Sequence, residues 1–149
     1  MALAVKSIRD RVLSGELLTG TFLNIGSSIT VEIAGDSGFD WILIDLEHGP
    51  SGQHDLLHLL QAAGTTPAAP IVRIPSNDTV LFKKTLDLGA SGIMVPWVLN
   101  TTEAEEAVAA MRYPPNGIRG VAKSPRAVGF GRSFDDYFAR SAERRFTVI

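Results

Sequence analysis

The chain alternates strand-like and helix-like segments, and this predicts an α/β fold on a parallel sheet. Three observations carry the prediction. Apolar runs of strand length recur at residues 18–25, 41–45, 69–73 and 91–95, and another opens at Phe146. Segments with helically spaced apolar residues separate them. The run Trp41-Ile42-Leu43-Ile44 has no polar alternation, as expected of a strand buried on both faces. Such a pattern suits either a closed (β/α)8 barrel or an open doubly wound sheet. The G-x-x-x-x-G-K and G-x-G-x-x-G fingerprints that would favour the open form are absent. A closed barrel takes about 250 residues, and this chain has 149. The expectation is therefore a single partial domain over residues 1–149, with four βα units and the start of a fifth strand.

In order, residues 3–14 place Leu3, Ile8 and Val12 at helical spacing before Gly15. Residues 18–25 form the first strand, and Thr30 is the expected cap of a helix ending at Ser37-Gly38. After the second strand, a helix from Ser51 to about Gly64 gathers Leu56, Leu57, Leu59 and Leu60 on one side. Residues 69–73 form the third strand, and Ser76-Asn77-Asp78 caps a helix closed by Gly89. The fourth strand spans 91–95. Thr101 or Thr102 is the expected cap of the next helix, with Glu103, Glu105 and Glu106 well placed in its first turns. A loop rich in Gly, Pro and Arg fills 113–132, a length usually tied to function. A helix is expected over 133–142.

Composition narrows the function. Hydrophobic residues make up 45%, charged residues 20%, and the net charge is -2, so neither nucleic acid nor an anionic membrane is an expected partner. The absence of cysteine excludes disulfides, thiolate nucleophiles and cysteine metal sites. No stretch approaches the roughly 20 apolar residues of a membrane span, and the N-terminus lacks a signal-peptide core. The expected location is cytoplasmic.

The chemistry-bearing groups gather at one strand end. Asp45, Glu47 and His48 follow the second apolar run, and Gly49-Pro50 stops regular structure. In parallel α/β folds chemistry sits at the carboxyl ends of strands. A carboxylate bonded to one imidazole nitrogen fixes the tautomer and frees the other nitrogen as a general base. Asp45 and His48 are thus candidates for proton transfer, the plain alternative being a polar strand end with a solvated histidine. Arg73 ends the third strand, where a permanent guanidinium suits a carboxylate or enolate oxygen or a salt bridge to Asp45 or Glu47. Asp87 lies in the last turn of its helix, unfavourable for an anion, with Lys83 and Lys84 placed to neutralise it. His54 and His58 are spaced like a metal pair but lack a third ligand, so a solvated helix face is the better reading. No serine sits in a G-x-S-x-G elbow, and Gly26-Ser27-Ser28 is only a weak candidate for anion binding.

Together, Asp45-Leu-Glu-His48, Val72-Arg73 with Asn77-Asp78, Lys84 to Gly89 containing Asp87, Val95-Pro96, and Arg112-Tyr-Pro-Pro-Asn-Gly-Ile-Arg-Gly120 resemble the HpcH/HpaI aldolase family. The resemblance runs in order from about Gly20 to the last residue, and Arg126-Ala127 with Phe130-Gly131 extends its most specific stretch. It implies a (β/α)8 TIM barrel of the phosphoenolpyruvate/pyruvate type, of which this chain carries the N-terminal part. It also implies a class II, metal-dependent lyase that reversibly cleaves a 4-hydroxy-2-oxo acid, such as a 2-dehydro-3-deoxy-aldarate or hydroxy-oxo-heptanedioate, to pyruvate and an aldehyde. The cofactor would be Mg2+ or Mn2+, with Co2+ a further option, acting as a Lewis acid on the carbonyl. The assembly would be a homo-oligomer, trimer or hexamer, with sites near subunit boundaries. By resemblance, His48 oriented by Asp45 serves in proton transfer, Arg73 stabilises the enolate oxygen, and Asp87 positions water or the second substrate. Glu47 holds metal-bound water, and Phe22 stands near the entrance. The two carboxylate metal ligands are expected beyond Ile149, which predicts impaired activity in the 149-residue chain. The alternatives are a CoA-ester lyase of the citrate or malyl-CoA type and a non-catalytic half-barrel or assembly fragment.

Overall fold

A computed structural model describes residues 7–144 and 146–148. Five parallel strands, β1 (Gly20–Leu23), β2 (Trp41–Asp45), β3 (Ala69–Arg73), β4 (Gly92–Met94) and β5 (Phe146–Val148), lie side by side in sequence order. A doubly wound sheet reverses its strand order at a switch point. None of these five strands does so, and a sheet wound in one direction with crossover helices is the arrangement of a barrel wall. The expected opening of a fifth strand is present, paired from Gly92↔Phe146.

Among the described residues six helices accompany the sheet: α1 (Ile8–Leu13), α2 (Ser28–Asp36), α3 (Gln53–Ala63), α4 (Thr79–Leu88), α5 (Thr101–Met111) and α6 (Phe134–Arg144). Among the described residues no helix is long and apolar enough to cross a membrane. Residues alternate between the two faces of a strand, and the two faces bury different partners. Ile42, Ile44, Val72 and Ile93 join Val31, Leu56, Leu60, Phe82, Leu86 and Ala107 in one large core between the sheet and helices α2 to α5. Leu43 and Ile71 face the other way, with Trp41, Ala69 and Met94 beside them, and Ile8 of α1 closes over this smaller cluster. This explains why β2 shows no polar alternation.

Ion pairs hold α1 at the amino ends of the strands. The Arg11 guanidinium bridges Asp40, just before β2, and Glu16. Asp40 in turn accepts the backbone N–H of Thr19, just before β1, at 2.8 Å. That hydrogen bond first, and Arg11 second, hold the Asp40 carboxyl below the usual carboxylate range. The inner face beneath α1 retains a hollow of about 320 Å³ lined by Ile8, Val12, Leu18, Trp41, Leu43, Ile71 and Met94.

Several boundaries differ from the sequence reading for local reasons. The helix expected to be capped by Thr30 begins at Ser28, and the Thr30 hydroxyl instead donates to the Ser27 carbonyl at 2.7 Å. Asn100, not Thr101 or Thr102, caps α5, its side-chain oxygen accepting the Glu103 N–H at 3.0 Å. Asp78 caps α4 as expected, and left-handed Gly89 ends it. The first strand keeps only four of the eight residues assigned to it. Leu3, at the start of the first expected helix, lies outside the described residues.

The long segment after α5 is anchored by side chains and contains one 3-10 turn, Arg126–Val128. From that turn, Arg126 donates to the Leu88 carbonyl at 2.7 Å and the Leu60 carbonyl at 3.2 Å. It places one cation at the C-terminal, partially negative ends of both α4 and α3.

The tightest packing constraint is at the first strand pair. Gly20 sits beside Trp41, and a Cβ on residue 20 would fall 2.0 Å from the indole ring. Gly20→Ala is expected to destabilise the fold by about 1–3 kcal/mol, the usual range for overpacking, read as a lower urea midpoint with an unchanged slope.

Candidate active site

Register brings the chemistry together. Asp45 and Arg73, the last residues of β2 and β3, are direct neighbours, so two side chains 28 positions apart leave the sheet on the same face. The Arg73 Nε donates to Asp45 Oδ1 at 3.0 Å and Nη2 to Asp45 Oδ2 at 2.6 Å, the two-pronged geometry that suits guanidinium and carboxylate. Asp45 Oδ1 also accepts the backbone N–H groups of Glu47 at 3.0 Å and His48 at 3.2 Å. One carboxylate thus fixes both the arginine and the turn that leaves the strand. Gly49 is required there, because a Cβ would lie 2.3 Å from the Asp45 carbonyl oxygen.

Glu47 follows the same face. Its Oε2 lies 3.2 Å from Arg73 Nε, and its Oε1 lies 3.6 Å from His48 Nε2. The Asp45 side chain is 3% exposed and that of Glu47 11%, whereas the His48 imidazole is 69% exposed. Phe22, from the neighbouring β1, sets its ring 5.5 Å from the Arg73 guanidinium carbon, and its edge meets Trp41 at 6.4 Å between centroids.

The electrostatics follow from this geometry. Burial is the largest single influence on Asp45 and opposes its ionisation. The hydrogen bonds from Arg73, His48 and Glu47, with the charge of Arg73, together outweigh burial and hold the carboxyl below its usual range. Arg73 is correspondingly held more firmly protonated, first by its hydrogen bond to Asp45.

The structure brings Phe22, Asp45, Glu47, His48 and Arg73 together, and it revises two expected relationships. Asp45 meets the backbone of His48 rather than its ring, because its oxygens already serve Arg73 and the turn. The carboxylate beside the imidazole is that of Glu47. Asp87 does not join the cluster. It lines a groove on the helical layer with Gln53, Leu57, Lys84 and Phe130. Its partner is Arg119, at 2.7 Å, and not Lys83 or Lys84.

Sequence reasoning missed that Arg119, although it lies within the Tyr113-Pro-Pro-Asn-Gly-Ile-Arg-Gly120 stretch. Its side chain is 0% exposed, its guanidinium carbon sits 4.6 Å from the Tyr113 ring centroid, and it bonds the Tyr137 hydroxyl at 3.2 Å. Helix spacing made the lysines the nearest cations to Asp87 in sequence. The loop delivers a closer one from 32 residues away.

For a metal ion, no group of three His, Cys, Asp or Glu side chains among the described residues converges on one point. The carboxylates of Asp45 and Glu47 both face Arg73. These residues do not by themselves make a metal centre. His54 and His58 meet edge to face at 6.2 Å, and His58 pairs with Gln61, in keeping with a helix face rather than a ligand set.

The known proteins that resemble this chain point one way. The HpcH/HpaI aldolase/citrate lyase family model matches residues 18–133. A pyruvate aldolase from Rhizobium etli is 41% identical over the whole chain, which covers 58% of that protein. A 2-dehydro-3,6-dideoxy-6-sulfogluconate aldolase from Pseudomonas putida is 50% identical over 75% of the chain and 44% of its own length. A solved HpcH/HpaI aldolase/citrate lyase family protein from Burkholderia cenocepacia superposes with a TM-score of 0.88 at 32% identity, covering 94% of this chain and 57% of that one. The chain spans about half the length of the relatives it matches.

The depressed carboxyl of Asp45 has a consequence for stability. A group whose folded-state pKa lies below its unfolded value, about 3.9 for Asp, stabilises the fold above that value and loses the contribution as pH falls through the folded one. Urea midpoints are expected to fall on acidification below about pH 4. Asp45→Asn should lower the neutral-pH midpoint and flatten this dependence, leaving the part contributed by Asp40.

Proposed function

From the premise that this chain belongs to the HpcH/HpaI aldolase/citrate lyase family, we propose that the protein is a class II pyruvate aldolase. It cleaves a 4-hydroxy-2-oxo acid reversibly to pyruvate and an aldehyde. The observation that carries the reading is Arg73. Its guanidinium ends a barrel strand, is locked in plane by Asp45, and keeps Nη1 without a partner among the described residues. A preorganised cation of this kind stabilises an oxygen that gains charge as the C3–C4 bond breaks, because it need not reorganise during the reaction.

The other residues take roles that fit their positions. His48, exposed at the strand end with a carboxylate nearby, takes the proton of the 4-hydroxyl, through water or directly, as that oxygen becomes the aldehyde carbonyl and the C3–C4 bond breaks; a proton returned to C3 of the enolate completes the methyl group of pyruvate. Glu47 orients the imidazole and the water around it. Asp45 acts through Arg73 and is a positioning residue. Two carboxylates against one guanidinium leave the cluster short of positive charge toward an anionic oxo acid. A divalent cation, Mg2+ or Mn2+, held by ligands other than these, would make up that shortfall and polarise the carbonyl.

The proposed assembly is a homo-oligomer. Asp87 stands apart from its own chain's cluster with one oxygen bonded to buried Arg119. That placement is in keeping with service at a boundary between subunits.

A coupled assay of pyruvate release from a 4-hydroxy-2-oxo acid, run with and without chelator on a polypeptide of the relatives' full length that carries these residues, tests the reading. Activity is expected to vanish with chelator and return with Mg2+ or Mn2+. Arg73→Lys, which loses the two-pronged hold on Asp45, should lower kcat by about 10²–10³-fold, the range seen when one oxyanion donor is removed. Pyruvate release that is indifferent to both changes would overturn the assignment.

A further inference from the structure

We propose that Phe22 is a positioning residue that sets the tilt of the Arg73 guanidinium and so aims its free Nη1 edge at the substrate oxyanion; this rests on the aldolase reading above. The guanidinium is planar, and Asp45 grips it along its Nε–Nη2 edge. Two bonds along one edge fix position within the plane and leave rotation about that edge free. Glu47, in ion-pair contact with the same Nε at 3.2 Å, does not remove this freedom. A contact from outside that edge does, and the Phe22 ring supplies one, its centroid 5.5 Å from the Arg73 guanidinium carbon, within the range of a cation over an aromatic ring.

Phe22 is itself held in place. Its ring meets Trp41 edge to face, with an interplanar angle of 77°, a preferred geometry for aromatic pairs. Trp41 can lie there because Gly20 beside it has no Cβ. A chain of contacts therefore runs from Gly20 through Trp41 and Phe22 to Arg73, across strands β1, β2 and β3. Phe22 is 48% exposed, so it contributes less to the core than a buried aromatic would. With Asp45 on one edge and the Phe22 ring beside the guanidinium, Nη1 is left for an incoming carboxylate or enolate oxygen.

The test compares three variants of the active, metal-loaded protein. Phe22→Leu keeps an apolar side chain and removes the ring face, whereas Phe22→Tyr and Phe22→Trp keep the face. Phe22→Leu should lower kcat about tenfold, the rate equivalent of one exposed-to-partly-desolvated cation–π contact. It should leave KM within about twofold, since the contact acts on the oxyanion that forms in the transition state. Both aromatic variants should restore kcat to within about threefold, as their ring faces attract a cation at least comparably. Wild-type kcat in Phe22→Leu, an equal loss in all three variants, or a loss confined to KM for the aldehyde in the synthetic direction would each overturn the proposal.

A measurement independent of the reaction separates this claim from the aldolase reading. The Arg73 Nε–H resonance in a ¹⁵N-edited NMR spectrum should be displaced by the Phe22 ring current. It should move in Phe22→Leu and keep an aromatic displacement in Phe22→Tyr. If that holds in a protein without aldolase activity, the assigned reaction fails and the clamp stands. If the resonance is indifferent to Phe22→Leu, the clamp fails whatever the reaction.

Discussion

The pairing of Asp45 with Arg73 is the constraint on which the rest of the site depends. Parallel register makes the two residues neighbours, and the two-pronged ion pair turns that adjacency into a fixed orientation. A second use of the same carboxylate, accepting the N–H groups of Glu47 and His48, ties the path of the loop to the position of the arginine. Removing either partner would leave a desolvated charge unmatched, which costs far more than the pair contributes over a hydrophobic substitute. An ion pair of this sort has a better explanation as a positioning device than as a source of stability.

The same economy of parts recurs on the helical layer. Arg119 is buried between two tyrosines with its charge met by Asp87, and burial, the largest influence on it, fails to loosen its proton against those partners. The long loop is thereby fastened to α4 at Asp87 and again near Leu88 through Arg126. Its irregular backbone is held by arginines reaching inward rather than by an apolar core of its own.

Much of this was legible in the sequence. The parallel α/β class followed from alternating segments, and the strand-end cluster of Asp45, Glu47, His48 and Arg73 followed from charges placed where apolar runs stop. These are local signals, and register is all that is needed to bring them together. Asp87 shows where such reasoning fails. Its true partner lies in a loop, and nothing in helix spacing marks a residue 32 positions away. The contact between Phe22 and Arg73 was hidden for a related reason, since it crosses from β1 to β3 over β2. Thr30 gives up the expected cap because its hydroxyl bonds back to the Ser27 carbonyl, and the Asn100 amide oxygen caps α5 in place of a threonine, outcomes that composition does not decide.

Arg126 also constrains the order in which the molecule assembles. Its two carbonyl partners are 38 and 66 residues away, and each takes its place only once the last turn of its helix has formed. The Arg126 anchor therefore exists only when both α3 and α4 are complete and lie side by side. A surface loop held in this way is expected to open locally at lower free energy than the sheet beneath it. Release of this loop would part Arg119 from Asp87 while the pairing of Asp45 with Arg73 at the strand ends stays intact.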